Sequence, residues 1–216
     1  MGKGELTRQA ILEHALGLAT RVGLGGVTIG QLANDLGLSK SGLFAHFQSK
    51  EALQLQVLEL ASSRFVDTVL RPALAAPRGE PRLRVMMERW REWSHLHALP
   101  GGCLFVAAAI ELDDQPGPTR DRLVALQKDW LEGLAHAVRV AIDEGHFRED
   151  LDPMQFAHDL NAIALGYHWS SRLMRDPRAH ERAVNAFEAL CAAARRPSPA
   201  RRPVPVRATR SRPRAS

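Results

Sequence analysis

A short polar segment, Ser39-Lys40-Ser41-Gly42, carries side chains suited to close contact with a polyanion. Serine and glycine let a helix approach a surface closely, and hydroxyl and ammonium groups donate hydrogen bonds. A lysine at a helix start opposes the helix dipole, so Lys40 and Lys50 have no evident structural role and indicate an external anion. We therefore expect contacts to DNA base edges from Lys40, Ser41 and Gly42, and contacts to phosphates from Thr28, Ser39, His46 and Lys50.

Two short helices separated by a tight turn must position these residues. Thr28 can cap the first helix, with Gln31 three residues later completing a capping box, and Gly37 is the expected left-handed stop. Ser39 can cap the second helix. This is the arrangement of a helix-turn-helix, whose second helix enters a major groove about 12 Å wide with its first residues towards the bases.

The segment from Ser39 to Leu53, SKSGLFAHFQSKEAL, resembles the DNA-binding segment of the TetR family of bacterial transcriptional regulators. That family has Ser-Lys-x-x-Leu-Tyr-x-His-Phe here, followed by x-Ser-Lys-Glu-x-Leu. Phe44 stands where the family usually has tyrosine, whose hydroxyl commonly meets a phosphate. The resemblance implies that Phe44 also faces DNA, without the hydrogen bond of that hydroxyl.

Several of these residues have structural alternatives. Ser39 and Ser49 are expected to cap helices whatever else they do. His46 could pack at the edge of the N-terminal head instead of contacting a phosphate.

Apolar spacing along the chain predicts an all-α fold of about nine helices with no strand. The predicted helices cover residues 5–22, 28–36, 39–47, 49–70, 81–97, 103–112, 119–145, 153–175 and 178–194. The helix from 49 to about 70 should end where Pro72 and Pro77 break it. We divide the chain into a three-helix DNA-binding domain (1–50), a larger helical effector-binding and dimerisation domain (51–194) and a disordered Arg/Pro-rich tail (195–216).

The resemblance also implies how the helices work together. In the family, swinging of the helix that follows the head changes the distance between the two heads of a dimer. The last two helices, 153–175 and 178–194, should pair with those of a second copy in a homodimer, which would read a near-palindromic operator. The alternative is that both helices only complete the core of one monomer.

Large aromatic rings recur in the helices that surround the ligand pocket in this family. They suggest an apolar or aromatic effector, although most such rings are ordinary core residues. The candidate pocket residues are Trp90, Trp93, Phe105, Trp130, Tyr167 and Trp169.

Two further features have a modest functional interpretation. Cys103 follows two glycines at an expected helix start, where a thiol pKa can be lowered, so it is a candidate redox sensor; the alternative is a small buried residue. His95 and His97 would point apart on a helix, so we predict no metal site.

Charge is unevenly distributed along the chain. Residues 195–216 hold eight Arg and no acid, so residues 1–194 carry 21 basic against 24 acidic side chains. The basic end of that body is the head, which has five basic and three acidic residues within 1–50. We expect a cytoplasmic protein, because no signal peptide or membrane span is evident and the two cysteines do not form a disulfide framework.

Three classes of function follow from these features. The leading one is a homodimeric repressor that a small molecule releases from its operator. An enzyme has no support, since no nucleophile motif, phosphate loop, paired carboxylates or cofactor-binding motif stands out. The remaining alternative is nonspecific nucleic-acid binding driven by the basic tail.

Overall fold

Helices make up most of the chain that the computed structural model describes, which is residues 3–195. In chain order they are α1 (Lys3–Val22), α2 (Ile29–Leu36), α3 (Lys40–Phe47), α4 (Lys50–Phe65), a π-helical turn (Val66–Leu70), α5 (Arg71–Ala75), α6 (Glu80–Trp93), α7 (Leu104–Leu112), α8 (Pro118–Asp143), α9 (Pro153–Arg172) and α10 (Ala179–Ala194). This confirms the all-α prediction. Residues 196–216, nearly all of the predicted disordered tail, lie outside the described residues.

One continuous helical rod is formed by α4, the π-helical turn and α5. It runs past the predicted end near Leu70 as far as Ala75. That prediction was wrong because Pro72 lies in the first turn of α5, where its missing N–H does not matter, and the N–H of Arg71 bonds the carbonyl of Val66, five residues back. With the rod counted as one helix, residues 3–195 contain the predicted nine.

The end of α6 also differs from the prediction. The helix stops at Trp93 rather than His97, and the Ser94 hydroxyl donates to the carbonyl of Arg91 at 2.7 Å as the chain turns. His95 and His97 therefore lie in a turn and not on a helix.

Two clusters of buried side chains hold the helices together. The first joins the head to the rest of the molecule, because Leu43 and Phe47 of α3 belong to the same cluster as Trp93 and Leu104. The second lies among α5, α6, α8, α9 and α10, with Phe156 and Leu160 at its centre. None of the helices within residues 3–195 combines the length and apolar character needed to span a bilayer.

Ion pairs fasten the end of α10 to the start of α6. The Glu80 carboxylate accepts from the Arg195 Nε at 2.9 Å and from Arg84, and Arg84 also donates to Glu188. The Arg195 guanidinium holds the pKa of Glu80 down to about 2, with Arg84 adding to the effect. Arg195, the first residue assigned to the tail by the sequence, is thus part of the folded body.

Candidate DNA interface and effector cavity

The helix-turn-helix is shaped by local hydrogen bonds that its sequence predicted. The Thr28 hydroxyl accepts from the Gln31 N–H at 3.1 Å, and the Ser39 hydroxyl accepts from the Gly42 N–H at 3.1 Å. Gly37 ends α2 with φ 64° and ψ 30°, the left-handed conformation that glycine adopts without steric cost. Ser49 caps α4 in the same way as Ser39 caps α3, by accepting from the Ala52 N–H at 3.0 Å.

The second helix of this motif, α3, has one anchored face and one open face. Leu43 and Phe47 are fully buried beneath it. Lys40, Ser41 and Gly42 in its first turn are exposed, and so is Phe44, with 52% of its surface accessible. The predicted base-contacting residues are therefore all exposed in the first turn of a helix that is anchored by its buried residues.

The predicted phosphate contacts lie around this face. Thr28 and Ser39 are exposed caps whose hydroxyl oxygens accept from backbone N–H groups, so each O–H can still donate to a phosphate. His46 is partly buried in the last turn of α3, beside the Phe47 ring. Both interpretations of His46, phosphate contact and packing at the edge, are compatible with that position.

Lys50 has a structural role that the sequence did not suggest. Its Nζ donates to the carbonyl of Gly25, in the loop between α1 and α2, at 2.5 Å. Gln54, one turn later on α4, donates to the Leu24 carbonyl at 3.1 Å. Lys50 therefore ties the connecting helix to the head, whatever charge it offers to DNA.

Glu111, at the end of α7, accepts hydrogen bonds from the same loop. Its Oε2 accepts from the Leu24 N–H at 2.7 Å, and its Oε1 accepts from the Gly25 N–H. Sequence analysis did not single out Glu111. The nearest signal was the glycine-rich loop itself, which indicates close approach of another group but not which one.

A cavity of about 200 Å³ lies between the helical rod, α6, α7, α8 and α9. Three of the six predicted aromatic residues, Trp90, Phe105 and Trp130, line it. Its polar wall groups include Gln127 and Asn161, which hold the Phe105 carbonyl and the Trp130 indole N–H at 3.3 and 3.2 Å. The remaining lining residues are Ser62, Phe65, Val66, Leu70, Cys103, Val106, Leu126, Asp129, Gly133 and Leu165.

The other three predicted pocket residues lie elsewhere. Trp93 is fully buried behind the cavity wall, edge-on to Phe65 with ring centroids 5.5 Å apart. Tyr167 lines a neighbouring cavity of about 290 Å³ that shares Trp90 with the first one. Trp169 lines neither cavity and is 55% exposed, because it points outward from α9. Ring size alone did not indicate which way each helix faces.

Cys103 caps the start of α7 and lines the first cavity. Burial raises the pKa of its thiol, although the Val106 N–H at the helix start partly offsets that effect. The redox-sensor prediction assumed that the helix start lowers the pKa of the Cys103 thiol. In this fold that pKa is raised instead. Any reagent would approach the sulfur from the cavity.

The histidine pair has no shared site. The His95 Nε2 lies 3.3 Å from the Tyr167 hydroxyl, while His97 is exposed. Among the described residues, no group of three or more His, Cys, Asp and Glu side chains is placed to hold a metal ion.

Comparisons with known proteins match both parts of the chain. Residues 11–57 match the family described as bacterial regulatory proteins, tetR family, and residues 79–187 match the tetracyclin repressor-like C-terminal domain. No curated protein matches the chain.

Solved structures share this fold over nearly their whole length. A TetR transcriptional regulator from Chloroflexus aurantiacus is 25% identical, with a TM-score of 0.79 over 89% of this chain and 96% of its own. A TetR-family regulator from Cytophaga hutchinsonii is 20% identical, with a TM-score of 0.78 over 90% and 98%. AibR, crystallised with isovaleryl coenzyme A and operator DNA, is 23% identical, with a TM-score of 0.68 over 84% and 96%. The two family matches and this shared fold lead to one conclusion: the chain belongs to the TetR family of bacterial transcriptional regulators.

Proposed function

We propose that this protein is a cytoplasmic repressor that binds a near-palindromic operator as a homodimer and leaves it when a small molecule occupies the cavity. The observation that carries the proposal is the exposed first turn of α3, held from below by Leu43 and Phe47. A helix fixed in this way can enter a major groove with its first residues towards the bases.

The open face of α3 divides the DNA contacts by type. Lys40 and Ser41 offer donors for base edges, and Gly42 keeps the helix surface low enough for close approach. Thr28, Ser39 and His46 are the proposed phosphate contacts around that face, and Lys50 adds positive charge while its Nζ bonds the loop. Phe44 offers an apolar ring, which can contact a thymine methyl or a sugar.

A homodimer is supported by apolar side chains that remain exposed on the last two helices. Leu165 and Trp169 on α9 and Leu173 directly after its end follow one another at intervals of four, with 43%, 55% and 71% of their surfaces accessible. Leu165 also lies at the cavity wall. Val184 on α10 is also exposed, with 41% of its surface accessible, and it lines the cavity that contains Tyr167. A second copy would cover the patch, and pairing two heads would fix the spacing of two half-sites.

The cavity suits a small, mainly apolar effector. Its walls combine aromatic rings with a few polar side chains, and its volume of about 200 Å³ is below the usual range for drug-sized ligands. The AibR structure supports a ligand-responsive regulator only in general terms: a protein of this fold was crystallised with isovaleryl coenzyme A, which is a much larger ligand, and with operator DNA.

Selection of duplexes from a random DNA library at near-physiological salt tests the proposal. The full chain should recover one palindromic motif, and so should a variant whose seven arginines beyond Arg195 are replaced by glutamine. Arg195 is kept because it pairs with Glu80. The Lys40→Ala/Ser41→Ala variant should lose the motif while keeping its fold.

The opposite pattern would mean that the tail, and not the head, binds nucleic acid. In that case the glutamine-tail variant would lose all binding, the Lys40→Ala/Ser41→Ala variant would bind as the unaltered protein does, and no motif would emerge. A steep fall of affinity with salt in the absence of any selected sequence would support the same conclusion.

A further inference from the structure

The loop between α1 and α2 is hydrogen-bonded to the Glu111 carboxylate of the larger domain. Glu111 accepts hydrogen bonds from two successive backbone N–H groups, those of Leu24 and Gly25, while Lys50 and Gln54 of α4 hold the carbonyls of the same two residues. We call the Glu111 contact the clasp. It joins residues 86 and 87 positions apart in the chain, and it links the effector-binding part directly to the base of the helix-turn-helix.

Glycines make room for the clasp. A side chain carbon added at Gly25 would lie 2.5 Å from the Glu111 Oε1, and one added at Gly23 would lie 2.6 Å from its Oε2. Among the described residues, Glu111 is the sole obstacle within 4 Å of the Gly25 position, and the backbone there has no positive φ. The loop therefore tolerates an alanine at residue 25 only if the carboxylate moves away.

The helix that carries Glu111 also forms part of the cavity wall. Phe105 and Val106 of α7 line the cavity, and Glu111 follows Phe105 by six residues, or about 9 Å of helix rise. Leu104, Ala108 and Leu112 are buried along the same helix. The chain just before α7 is fastened to the head as well, because the Gly101 N–H donates to the Thr20 hydroxyl of α1 at 2.9 Å.

We propose that Glu111 is the positioning residue through which the cavity controls the orientation of the helix-turn-helix. An occupant that pushes on Phe105 and Val106 displaces α7, and the clasp passes that displacement to the loop before α2. This inference rests on the proposed function, because it names how the effector cavity regulates operator binding.

A double-mutant cycle tests the clasp without knowledge of the effector. Val106→Phe places a permanent ring in the cavity, and Leu126→Phe does so from α8 in case the first variant folds poorly. We call either substitution the filler. The filler should weaken operator binding by at least about fivefold, the lower end of common allosteric couplings, when Glu111 is present. In the Glu111→Gln chain, which loses one of the two acceptors, the same filler should change affinity by less than about twofold, since sites without coupling behave additively.

Two further variants separate coupling from local damage. Gly25→Ala breaks the clasp from the head side without changing the sequence of α7, because the added methyl group displaces the Glu111 carboxylate. It should therefore abolish the effect of the filled cavity just as Glu111→Gln does. Ile110→Ala, next to Glu111 but 75% exposed and outside the cavity, should leave that effect unchanged.

Equal effects of the filler in the unaltered chain and in the Glu111→Gln chain would overturn the proposal, and so would a filler that has no effect in either.

If the unaltered protein selects no duplex, the proposed function fails, but the clasp is still tested by hydrogen exchange of the Leu24 and Gly25 amides. Those amides should exchange slowly in the unaltered protein and faster with Val106→Phe. In Glu111→Gln, the amide that loses its acceptor should exchange fast whether or not the cavity is filled. Fast exchange in the unaltered protein would contradict the clasp itself.

Discussion

At the level of single residues, the side chains that hold α3 in place differ from those that it exposes. Leu43 and Phe47 are buried and hold the helix, whereas Lys40 and Phe44 are exposed. Lys40 forms no ion pair among the described residues within 4.0 Å. Substitutions on the exposed side should therefore change DNA binding and leave the fold intact.

Replacing Lys40 with alanine should weaken operator binding by about 1–3 kcal/mol, the usual worth of a specific base contact. The thermal midpoint should stay the same, because the side chain is exposed. Fluorescence anisotropy with a labelled operator measures the first quantity. Lys128→Ala, an exposed lysine on α8, serves as the control, and an equal loss in both variants would show that only overall charge matters.

Replacing Phe44 with tyrosine should tighten operator binding by about 1 kcal/mol, because the restored hydroxyl can donate to a phosphate. Phe44→Ala should weaken binding through lost apolar contact. Titrations at several salt concentrations measure both effects. If tyrosine and phenylalanine bind alike, the side chain does not approach the phosphates.

At the level of helices and their ends, ion pairs and backbone geometry fix boundaries that hydrophobic spacing leaves open. The π-helical turn carries the rod past Pro72, and Glu80 joins the start of α6 to Arg195 after α10. The Glu80 pKa of about 2 lies below its ordinary 4.5. Ionised Glu80 therefore stabilises the fold fully above about pH 4.5, and this contribution disappears as the pH falls towards 2.

Replacing Glu80 with glutamine should lower the free energy of unfolding by roughly 1–3 kcal/mol at pH 7, since hydrogen bonds to a charged group are lost. The loss should be smaller at pH 3, where the unaltered protein has already given up part of this contribution. Denaturant titrations at the two pH values test this. Glu132→Gln, which breaks an exposed pair with Arg139, should cost under about 1 kcal/mol at both.

In the molecule as a whole, the proposed function assigns different roles to three regions of the structure. We propose that the exposed first turn of α3 contacts DNA, that Leu165, Trp169 and Leu173 contact a second copy, and that the cavity holds the effector. Helix α7 lines the cavity with Phe105 and Val106 and bonds the loop between α1 and α2 through Glu111.

Replacing Leu173 with glutamate should convert the dimer to a monomer, because it places a charge in the exposed apolar surface that Leu173 forms with Leu165 and Trp169. Operator affinity should then fall by about 100-fold or more, as expected when two linked contacts become one. Sedimentation and operator titration measure the two effects. Leu74→Glu, at a 65% exposed leucine on α5, is the matched control and should remain dimeric. A Leu173→Glu protein that stays dimeric would place the interface elsewhere.

Local sequence was enough to predict the helix-turn-helix. The caps at Thr28, Ser39 and Ser49 and the left-handed Gly37 involve residues within four or five positions of one another, so short-range chemistry sufficed. The exposure of Phe44 agrees with the position that the resemblance implied for it, whereas Leu43 and Phe47 are buried.

The meeting of distant residues depended on tertiary packing. The clasp joins Glu111 to Leu24 and Gly25, Arg195 pairs with Glu80, and Trp169 points away from the cavity that Trp90 lines. Helical spacing shows that a residue lies on an apolar face, but the rotation of each helix against its neighbours determines which partner or cavity that face meets. These choices come from the packing of all the helices together, so they appear only in the assembled fold.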